Sequence, residues 1–348
     1  MKIVVPFFAL LLLVSCNKEE DLPEPTPGDF DNGVLVLNEG LFQQNNASIS
    51  FYSNATSTSS FEVFKGVNNR GLGDTANDWV TFESNGSTFI AVAVDISSQI
   101  EIVSANKLTS ITQIPLFDGA TAREPRSIQI ANGKIYAANF DGTVTVHNLY
   151  TFEEMKVIAV GQNPNSLAVS NGKLYVANSG GLNAPNYDST VTVIDLTADT
   201  VLYEIDAAIN MSAVIAAPDN KIFARSSGNY SSVNPSIFRI DTQSDAILDT
   251  LNINMTAMKI YENELYYMDA DLLGVYKMDL TSLTPSAQIV DLSAFNTPYA
   301  MDVHEGLIYV SDANNYVNSS IVRVYDMNGV YQKEFTAGLN ANNFVFNE

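Results

Sequence analysis

Polar and apolar residues alternate along most of the chain after residue 33, in short runs that end at turn residues. One run covers residues 164–170, Asn171-Gly172 follows it, and a second run covers residues 173–178. An earlier copy of the same arrangement turns at Asn132-Gly133. Alternation predicts half-buried strands, and Asn-Gly between two such runs predicts a tight hairpin because a type I′ turn needs positive φ at both central residues.

This strand unit recurs seven times. Its second-strand positions are Leu35, Ile90, Tyr136, Tyr175, Phe223, Tyr266 and Tyr309. In the clearest copies a third strand follows at 143–147 or 190–195, and a fourth at 155–160 or 201–205. Four-stranded units that repeat every 40 to 50 residues or so are typical of β-propellers. The sequence therefore predicts an all-β fold, a seven-bladed propeller with four-stranded blades.

The two ends of the repeat region complete each other. Residues 33–38 match a second strand with no first strand before it, and residues 341–347 match a first strand with nothing after it. We therefore expect the C-terminal strand to complete the N-terminal blade and close the ring, which removes an open sheet edge. A β-helix or a pair of sandwiches would not predict a split blade.

The N-terminus indicates export. Met1-Lys2 precedes an apolar run at 3–14 that is too short to span a membrane, as expected of a signal peptide. Residues 13–16, Leu-Val-Ser-Cys, have the form of a lipobox and resemble bacterial lipoproteins, which implies acylation of Cys16. The alternative is an ordinary signal peptide followed by a chance cysteine. The predicted division is a signal peptide at 1–15, a lipidated cysteine and Pro-rich acidic tether at 16–32, and the propeller at 33–348.

Charged residues directly after the cysteine bear on localisation. Residues 17–21, Asn-Lys-Glu-Glu-Asp, resemble the export tag of Bacteroidetes lipoproteins, which implies a lipid-anchored position on the outer face of the outer membrane. The alternative is a solvated charge run. The chain has 17 Lys plus Arg against 39 Asp plus Glu, a net charge of −22, so nucleic acid is disfavoured as a partner. Membrane contact is expected only through the anchor.

Catalytic residue types are scarce. The single cysteine excludes an intramolecular disulfide, and the two histidines, His147 and His304, are not placed at the channel mouth by the predicted register. Asp269, Asp271 and Asp312 are candidate Ca²⁺ ligands, but their spacing favours a solvated acidic rim. We therefore predict a protein that is not an enzyme and that needs no metal or cofactor, with calcium-dependent lactone hydrolysis as the nearest enzymatic alternative.

One face of the predicted propeller carries the long loops. The second-to-third strand loops at 179–189, 226–235 and 312–319 each contain a tyrosine beside asparagines. Long loops with aromatic residues commonly bind ligands, although such tyrosines can also pack their own loops shut. The first residues of the innermost strands should ring the channel mouth on this face: Asp78, Arg126, Asn165, Met211, Thr256, Tyr299 and Asn342. The linker at 66–77, with Arg70 at its centre, is expected to fold over the mouth.

The predicted ligand-binding set combines the mouth, the long loops and nearby aromatic residues. Its members are Phe42, Asp78, Trp79, Arg126, Phe140, Asn165, Tyr187, Tyr230, Tyr299 and Tyr316. Trp79, the single tryptophan, has a core position as its alternative.

Residues 174–178, Leu-Tyr-Val-Ala-Asn, resemble the YVTN repeat of the YncE-like propellers. Residues 36–40, Val-Leu-Asn-Glu-Gly, together with residues 45–52, are similar to a surface-lipoprotein branch of that group in Bacteroidetes. Some members of this branch capture cobalamin (vitamin B12) and pass it to a TonB-dependent outer-membrane transporter. The resemblance implies nutrient capture, with cobalamin as ligand and such a transporter as partner. Docking to a protein or glycan, or a purely structural role, stays open as an alternative.

Overall fold

The computed structural model of the protein describes residues 29–347. It contains seven four-stranded antiparallel sheets, the blades of a propeller. The predicted signal peptide, the predicted lipidation site Cys16 and the first part of the predicted tether, up to residue 28, lie outside the described residues. Across residues 29–347 there is no helix that is both long and apolar enough to cross a membrane.

Each blade runs from strand A at the central channel to strand D at the rim. Strand A of blades 1 to 7 is Ala341–Asn347, Ala76–Ser84, Pro125–Ala131, Pro164–Ser170, Met211–Ala217, Met255–Tyr261 and Pro298–His304. Strand B is Gly33–Asn38, Ser87–Val94, Lys134–Asn139, Lys173–Asn178, Lys221–Ser226, Glu264–Asp269 and Leu307–Asp312. Strand C is Ser48–Ser53, Gln99–Ser104, Thr143–Asn148, Thr190–Asp195, Ser236–Asp241, Gly274–Asp279 and Ser319–Asp326. Strand D is Thr58–Ser60, Ser110–Pro115, Glu154–Ala159, Thr200–Asp206, Ile247–Leu251, Val290–Asp291 and Tyr331–Leu339.

A few short elements lie between these strands. A helix, Val63–Asn68, stands between blades 1 and 2, and a small hairpin pairs Phe117–Asp118 with Thr121–Ala122. Single 3₁₀ turns, Gly181–Asn183 and Asn314–Tyr316, shape two of the long loops.

The ring closes as predicted. In blade 1, Val36 of strand B pairs with Phe344 of the C-terminal strand, and Val34 pairs with Phe346. The seven A strands contact one another in order around the channel, including the contact between Ala341–Asn347 and Ala76–Ser84. The prediction of a seven-bladed propeller with a shared first blade is therefore confirmed.

The predicted hairpins form with the expected backbone. Asn132 and Gly133 have φ values of 51° and 69°, and Asn171 and Gly172 have 51° and 71°. Both central residues of each turn are thus left-handed, as a type I′ turn requires. These turns join strands A and B on the face opposite the long loops.

The hydrophobic core is divided into seven clusters, one between each pair of neighbouring blades. Each blade contributes alternate residues of its strands to the cluster on either side. In strand B of blade 1, Leu35 packs toward blade 2 and Val36 packs toward blade 7. Burial on both faces explains why the B strands are apolar almost throughout.

The tyrosine of the repeat has a specific role between blades. Tyr136 donates its hydroxyl hydrogen to Asp199 Oδ1 of the next blade at 2.7 Å, and Lys134 Nζ lies 2.5 Å from Asp199 Oδ2. Tyr175 forms the equivalent bond to Asp245 at 2.5 Å. The lysine and tyrosine of the Lys-x-Tyr pattern in strand B therefore bind an aspartate of the next blade and connect the two blades.

Candidate functional site

The channel mouth is built by one repeated backbone irregularity. In blade 3, Pro125 pairs with Asn139 and Ser127 pairs with the adjacent Ala138, so Arg126 is an extra, unpaired residue. Every A strand has a register shift at this place, and the first residue within it is Asn77, Arg126, Asn165, Ser212, Thr256, Tyr299 or Asn342. In blade 7 the shift also includes Ala300. A β-bulge redirects a side chain, and here it directs seven side chains to the mouth.

The predicted register is wrong by one residue in two blades. The bulged residues are Asn77 and Ser212, where the sequence pattern suggested Asp78 and Met211. Met211 is completely buried in the core between blades 4 and 5. Asp78 still lines the channel, one residue further along its strand.

Side chains at the mouth connect blades 2 to 5. Arg126 Nη1 lies 2.7 Å from Asp95 Oδ2, and its guanidinium lies 4.6 Å from the centroid of the Phe140 ring. Arg126 Nε also donates to Asn165 Oδ1 at 3.4 Å. Asn165 Nδ2 donates in turn to the carbonyl of Ser212 at 2.7 Å. The predicted residues Arg126, Phe140 and Asn165 therefore belong to one network.

Glu39, which follows strand B of blade 1, is a further residue at the mouth and is not among those that the strand pattern predicts. It connects blade 1 to blade 7 directly and to blade 2 through Asn342. The Tyr299 hydroxyl donates to Glu39, and Asn342 Nδ2 donates to Glu39 Oε1 at 3.1 Å and to the carbonyl of Asn77 at 2.9 Å. Burial raises the pKa of Glu39, and the bond from Tyr299 opposes that rise. The one feature of the sequence that could have pointed to Glu39 is its place in residues 36–40, the segment that carries the family resemblance.

The remaining blades are connected in the same way. Arg225 Nη1 of blade 5 donates to the carbonyl of Thr256 in blade 6, and Lys259 of blade 6 lies 2.9 Å from Asp302 of blade 7. Each of the seven blade interfaces thus has a polar contact near the channel. The charged groups at the mouth thus bind ionic or polar partners, most of them in a neighbouring blade, so their first role is to hold the ring together.

Two adjoining cavities open on the loop-rich side. The channel cavity has a volume of about 380 Å³, and a cleft between blades 5 and 6 has a volume of about 670 Å³. Arg225 and Thr256 line both cavities, so the two spaces meet there. Tyr230, whose surface is 79% exposed, borders the cleft. Volumes of this order are those of small-molecule sites.

The structure brings only some of the predicted residues to these cavities. Tyr299 lines the channel, and Tyr316 packs edge-on against it with ring centroids 5.9 Å apart. Tyr187 and Phe42 line neither the channel nor the cleft, although Phe42 is 64% exposed on its own loop. Trp79 is not at the predicted ligand-binding surface but in the alternative core position. Its side chain is 6% exposed and packs in the core between blades 1 and 2.

The prediction that the linker at 66–77 folds over the mouth is wrong for Arg70, its central residue. Arg70 Nη2 lies 2.7 Å from Glu101 Oε1 in strand C of blade 2, and its guanidinium lies 5.0 Å from the centroid of the Phe64 ring. Strand C is remote from the channel, so Arg70 fixes the linker to the outer part of the blade.

Both histidines lie away from the mouth, as predicted. His147 is in strand C of blade 3, where burial lowers its pKa to about 4. His304 ends strand A of blade 7 on the opposite face and stacks on Phe346, with ring centroids 4.0 Å apart.

The three acidic residues considered as calcium ligands accept hydrogen bonds from neighbouring loop segments, as Asp271 does from Asn254 Nδ2. Asp312 accepts hydrogen bonds from the backbone N–H groups of Asn296 and Thr297, and Asp269 accepts one from the N–H of Asp271. Over the described range 29–347, no three His, Cys, Asp or Glu side chains are grouped as metal ligands.

Fold and site together define a seven-bladed β-propeller with a ligand-sized concavity on its loop-rich face. The chain belongs to the family described as "Domain of unknown function (DUF5074)", whose model matches residues 32–263. No curated protein matches the chain.

Solved structures show the same fold. A quinonprotein alcohol dehydrogenase-like protein from Bacteroides thetaiotaomicron shares 17% identity over 92% of this chain and 79% of its own, with a TM-score of 0.67. Hydrazine synthase from Kuenenia stuttgartiensis shares 16% identity over 74% of this chain and 86% of its own, with a TM-score of 0.61. The WD40 domain of Neurospora crassa Pan2 shares 9% identity over 77% of this chain and 81% of its own, with a TM-score of 0.56. At these identities the likeness concerns the fold alone.

Proposed function

We propose that this protein is a binding protein without catalytic activity, which captures a ligand on the loop-rich face of the propeller. The observation that carries the proposal is the pair of adjoining cavities that meet at Arg225 and Thr256. Their walls combine amide and hydroxyl side chains, among them Tyr230 and Tyr299, with apolar residues and a few charged groups. Such a lining suits recognition of a ligand. The charged groups at the mouth, such as Arg126 with Asp95, are engaged between blades.

Cobalamin is the ligand that we propose to test first, for delivery to a TonB-dependent outer-membrane transporter. The resemblance of residues 36–40 to cobalamin-capturing surface propellers supports it. A corrinoid is broad and carries many amides, which match the asparagines and tyrosines of the concavity. Lipidation of Cys16 and exposure on the outer membrane belong to the same proposal, because the captured ligand would be handed over at the cell surface.

A titration with cyanocobalamin tests the ligand. The purified protein, residues 22–348, is titrated by calorimetry and then passed through gel filtration while its visible spectrum is recorded. We expect a red one-to-one complex that survives the column. A flat titration at micromolar protein would exclude cobalamin.

A matched pair of variants tests the face. Tyr230→Ala removes an aromatic ring from the cleft and should weaken binding about tenfold or more, in line with loss of an exposed aromatic contact at a binding hot spot. Tyr187→Ala removes the equivalent tyrosine of the neighbouring blade, which lines neither cavity, and should leave the affinity unchanged. Equal effects of the two changes would place the ligand elsewhere.

The second candidate is docking to a glycan or a protein. It is favoured by the solvent exposure of Phe42, Tyr230 and Tyr316 on loops of one face, because exposed rings stack on sugars and on partner side chains. Retention on polysaccharide gels without cobalamin binding would support the glycan form. Co-purification with an outer-membrane partner, with neither ligand bound, would support the protein form.

A further inference from the structure

Arg225 differs from every other arginine of the chain. The five others each form an ion pair with an aspartate or glutamate: Arg70, Arg123, Arg126, Arg239 and Arg323. Within residues 29–347, no carboxylate lies at ion-pair distance from Arg225. A protein with a net charge of −22 thus has one described guanidinium without a carboxylate counterion, and it lies at the edge of the cleft between blades 5 and 6.

The guanidinium of Arg225 is held in place, yet part of it stays free. Its Nε donates to Ser212 Oγ at 2.9 Å, and its Nη1 donates to the carbonyls of Met255, at 3.3 Å, and Thr256. Its Nη2 has no acceptor among the residues that the structure describes. Arg225 lines both the channel and the cleft. Two fixed N–H groups are therefore available where the cavities meet.

The surroundings of this group favour an anionic partner. Burial takes water away from the guanidinium of Arg225 and so lowers its pKa. Removing a cation from water without a counterion is costly, and an anion bound beside it would offset that cost. Asp271 is the one acidic residue among those that line the cleft, and Asn254 Nδ2 donates to its Oδ1 at 2.9 Å.

The cleft offers a second, apolar contact. Tyr230, Val233 and Pro235 line it on the side of the blade 5 loop, and the amides of Asn234 and Asn252 lie among them. Both Tyr230 and Val233 are exposed in the described structure. A ligand with an acidic group at Arg225 can therefore place a nonpolar portion against this loop.

We propose that the cleft between blades 5 and 6 binds organic ligands that carry a carboxylate and an apolar or aromatic portion, with the carboxylate at Arg225 Nη2. This inference rests on the proposed function, ligand capture by the loop-rich face, and names the chemistry of one part of that face. The apolar portion lies against Tyr230, Val233 and Pro235. The carboxylate makes charge-assisted hydrogen bonds, which are stronger than those of a neutral oxygen.

Two probes of nearly equal shape test the proposal: N-acetyl-L-phenylalanine, which has a carboxylate, and N-acetyl-L-phenylalaninamide, which does not. Their binding to the purified protein is measured by calorimetry and NMR titration. We expect the carboxylate probe to bind about tenfold more tightly or better, with a preference that falls as salt is added. Arg225→Gln should abolish the preference. Arg239→Gln, which removes an ion-paired arginine of the same blade, should preserve it.

Equal binding of the two probes, no binding of either, or an unchanged preference in Arg225→Gln would overturn the proposal. Because Arg225 also bonds to blade 6, the thermal unfolding of the variant is recorded first. If Arg225→Gln does not fold, Tyr230→Ala is tested in its place. Loss of this exposed ring should weaken the binding of both probes equally and leave the ratio of their affinities unchanged. Cyanocobalamin is titrated in parallel. Cobalamin binding without probe preference refutes this inference alone, and the reverse result refutes cobalamin capture alone.

Discussion

Burial changes the pKa of individual side chains, and His147 is an example that affects stability at mildly acidic pH. This side chain is 1% exposed in strand C of blade 3, and its pKa is lowered to about 4. In the unfolded chain the same imidazole has a pKa of about 6.5. The folded state therefore holds a neutral ring over a range of pH in which the unfolded state takes up a proton.

Stability should therefore fall as the pH drops from about 6.5 toward 4, because the unfolded state binds the extra proton. A pKa shift of this size corresponds to a loss of about 3 kcal/mol in the free energy of unfolding across that pH range. We predict that His147→Gln removes this part of the acid sensitivity. The measurement is urea unfolding of both proteins at pH 7.5, 6.0, 5.0 and 4.5.

Val146→Ala is the control, since it removes buried volume from the same strand without a titrating group. It should lower the free energy of unfolding by a similar amount at every pH. A variant His147→Gln whose pH dependence parallels that of the parent chain would contradict the assignment.

Single residues were also the hardest to place from the sequence. The core position of Trp79 depends on which face of strand A its side chain takes, and a shift of one residue exchanges the two faces. Glu39 belongs to the mouth because Tyr299 and Asn342 come to it from the other end of the chain. No local pattern in the sequence records such a contact.

At the scale of elements, the strands and their hairpins could be predicted because each depends on neighbouring residues. Alternation marks a strand, and Asn-Gly marks a type I′ turn. The bulges could not be predicted, because an extra residue at the start of strand A leaves the later alternation intact. The strand pattern therefore predicts Asp78 and Met211 at positions where the structure has Asn77 and Ser212.

Two glycines test the role of local backbone conformation. Gly172 has a φ of +71° in its hairpin, and Gly66 lies in the helix Val63–Asn68; a Cβ added at either position meets no atom within 4 Å. Gly172→Ala should destabilise the protein by about 1 kcal/mol, because a residue with a Cβ is strained at that φ. Gly66→Ala should stabilise it by about 0.5 kcal/mol, because the unfolded chain loses freedom.

The measurement is the urea unfolding midpoint of each variant. We expect the midpoint of Gly172→Ala to be lower than that of the parent chain and the midpoint of Gly66→Ala to be higher. Each change adds the same methyl group in open space, so each serves as the control for the other. Shifts of the same sign would mean that solvent exposure of the methyl, and not backbone conformation, governs the result.

For the whole molecule, stability depends on closure, since each blade buries both faces against neighbours. Strand Ala341–Asn347 supplies Phe344 and Val345 to two different clusters, those between blades 7 and 1 and between blades 1 and 2. The two ends of the chain thus share one blade, and loss of either end opens the same gap. This feature could be predicted from the sequence because both ends fit one repeat.

We predict that a chain ending at Asn340 loses its single cooperative thermal transition and associates into oligomers. Strand Gly33–Asn38 would then present an unpaired edge, which is a template for pairing with other chains. A synthetic peptide of residues 341–347 should restore both the transition and the monomeric size on gel filtration, because it supplies the missing strand.

The same peptide with Phe344 and Phe346 replaced by serine is the control and should fail, because Phe344 packs in the cluster between blades 7 and 1 and Phe346 packs against it. In the intact chain, Phe344→Ala should cost about 3–5 kcal/mol while the protein stays monomeric, since the strand is still covalently present. If the truncated chain unfolds like the intact one, the propeller is stable without the strand that completes blade 1. Closure by the last strand would then not be what holds the ring together.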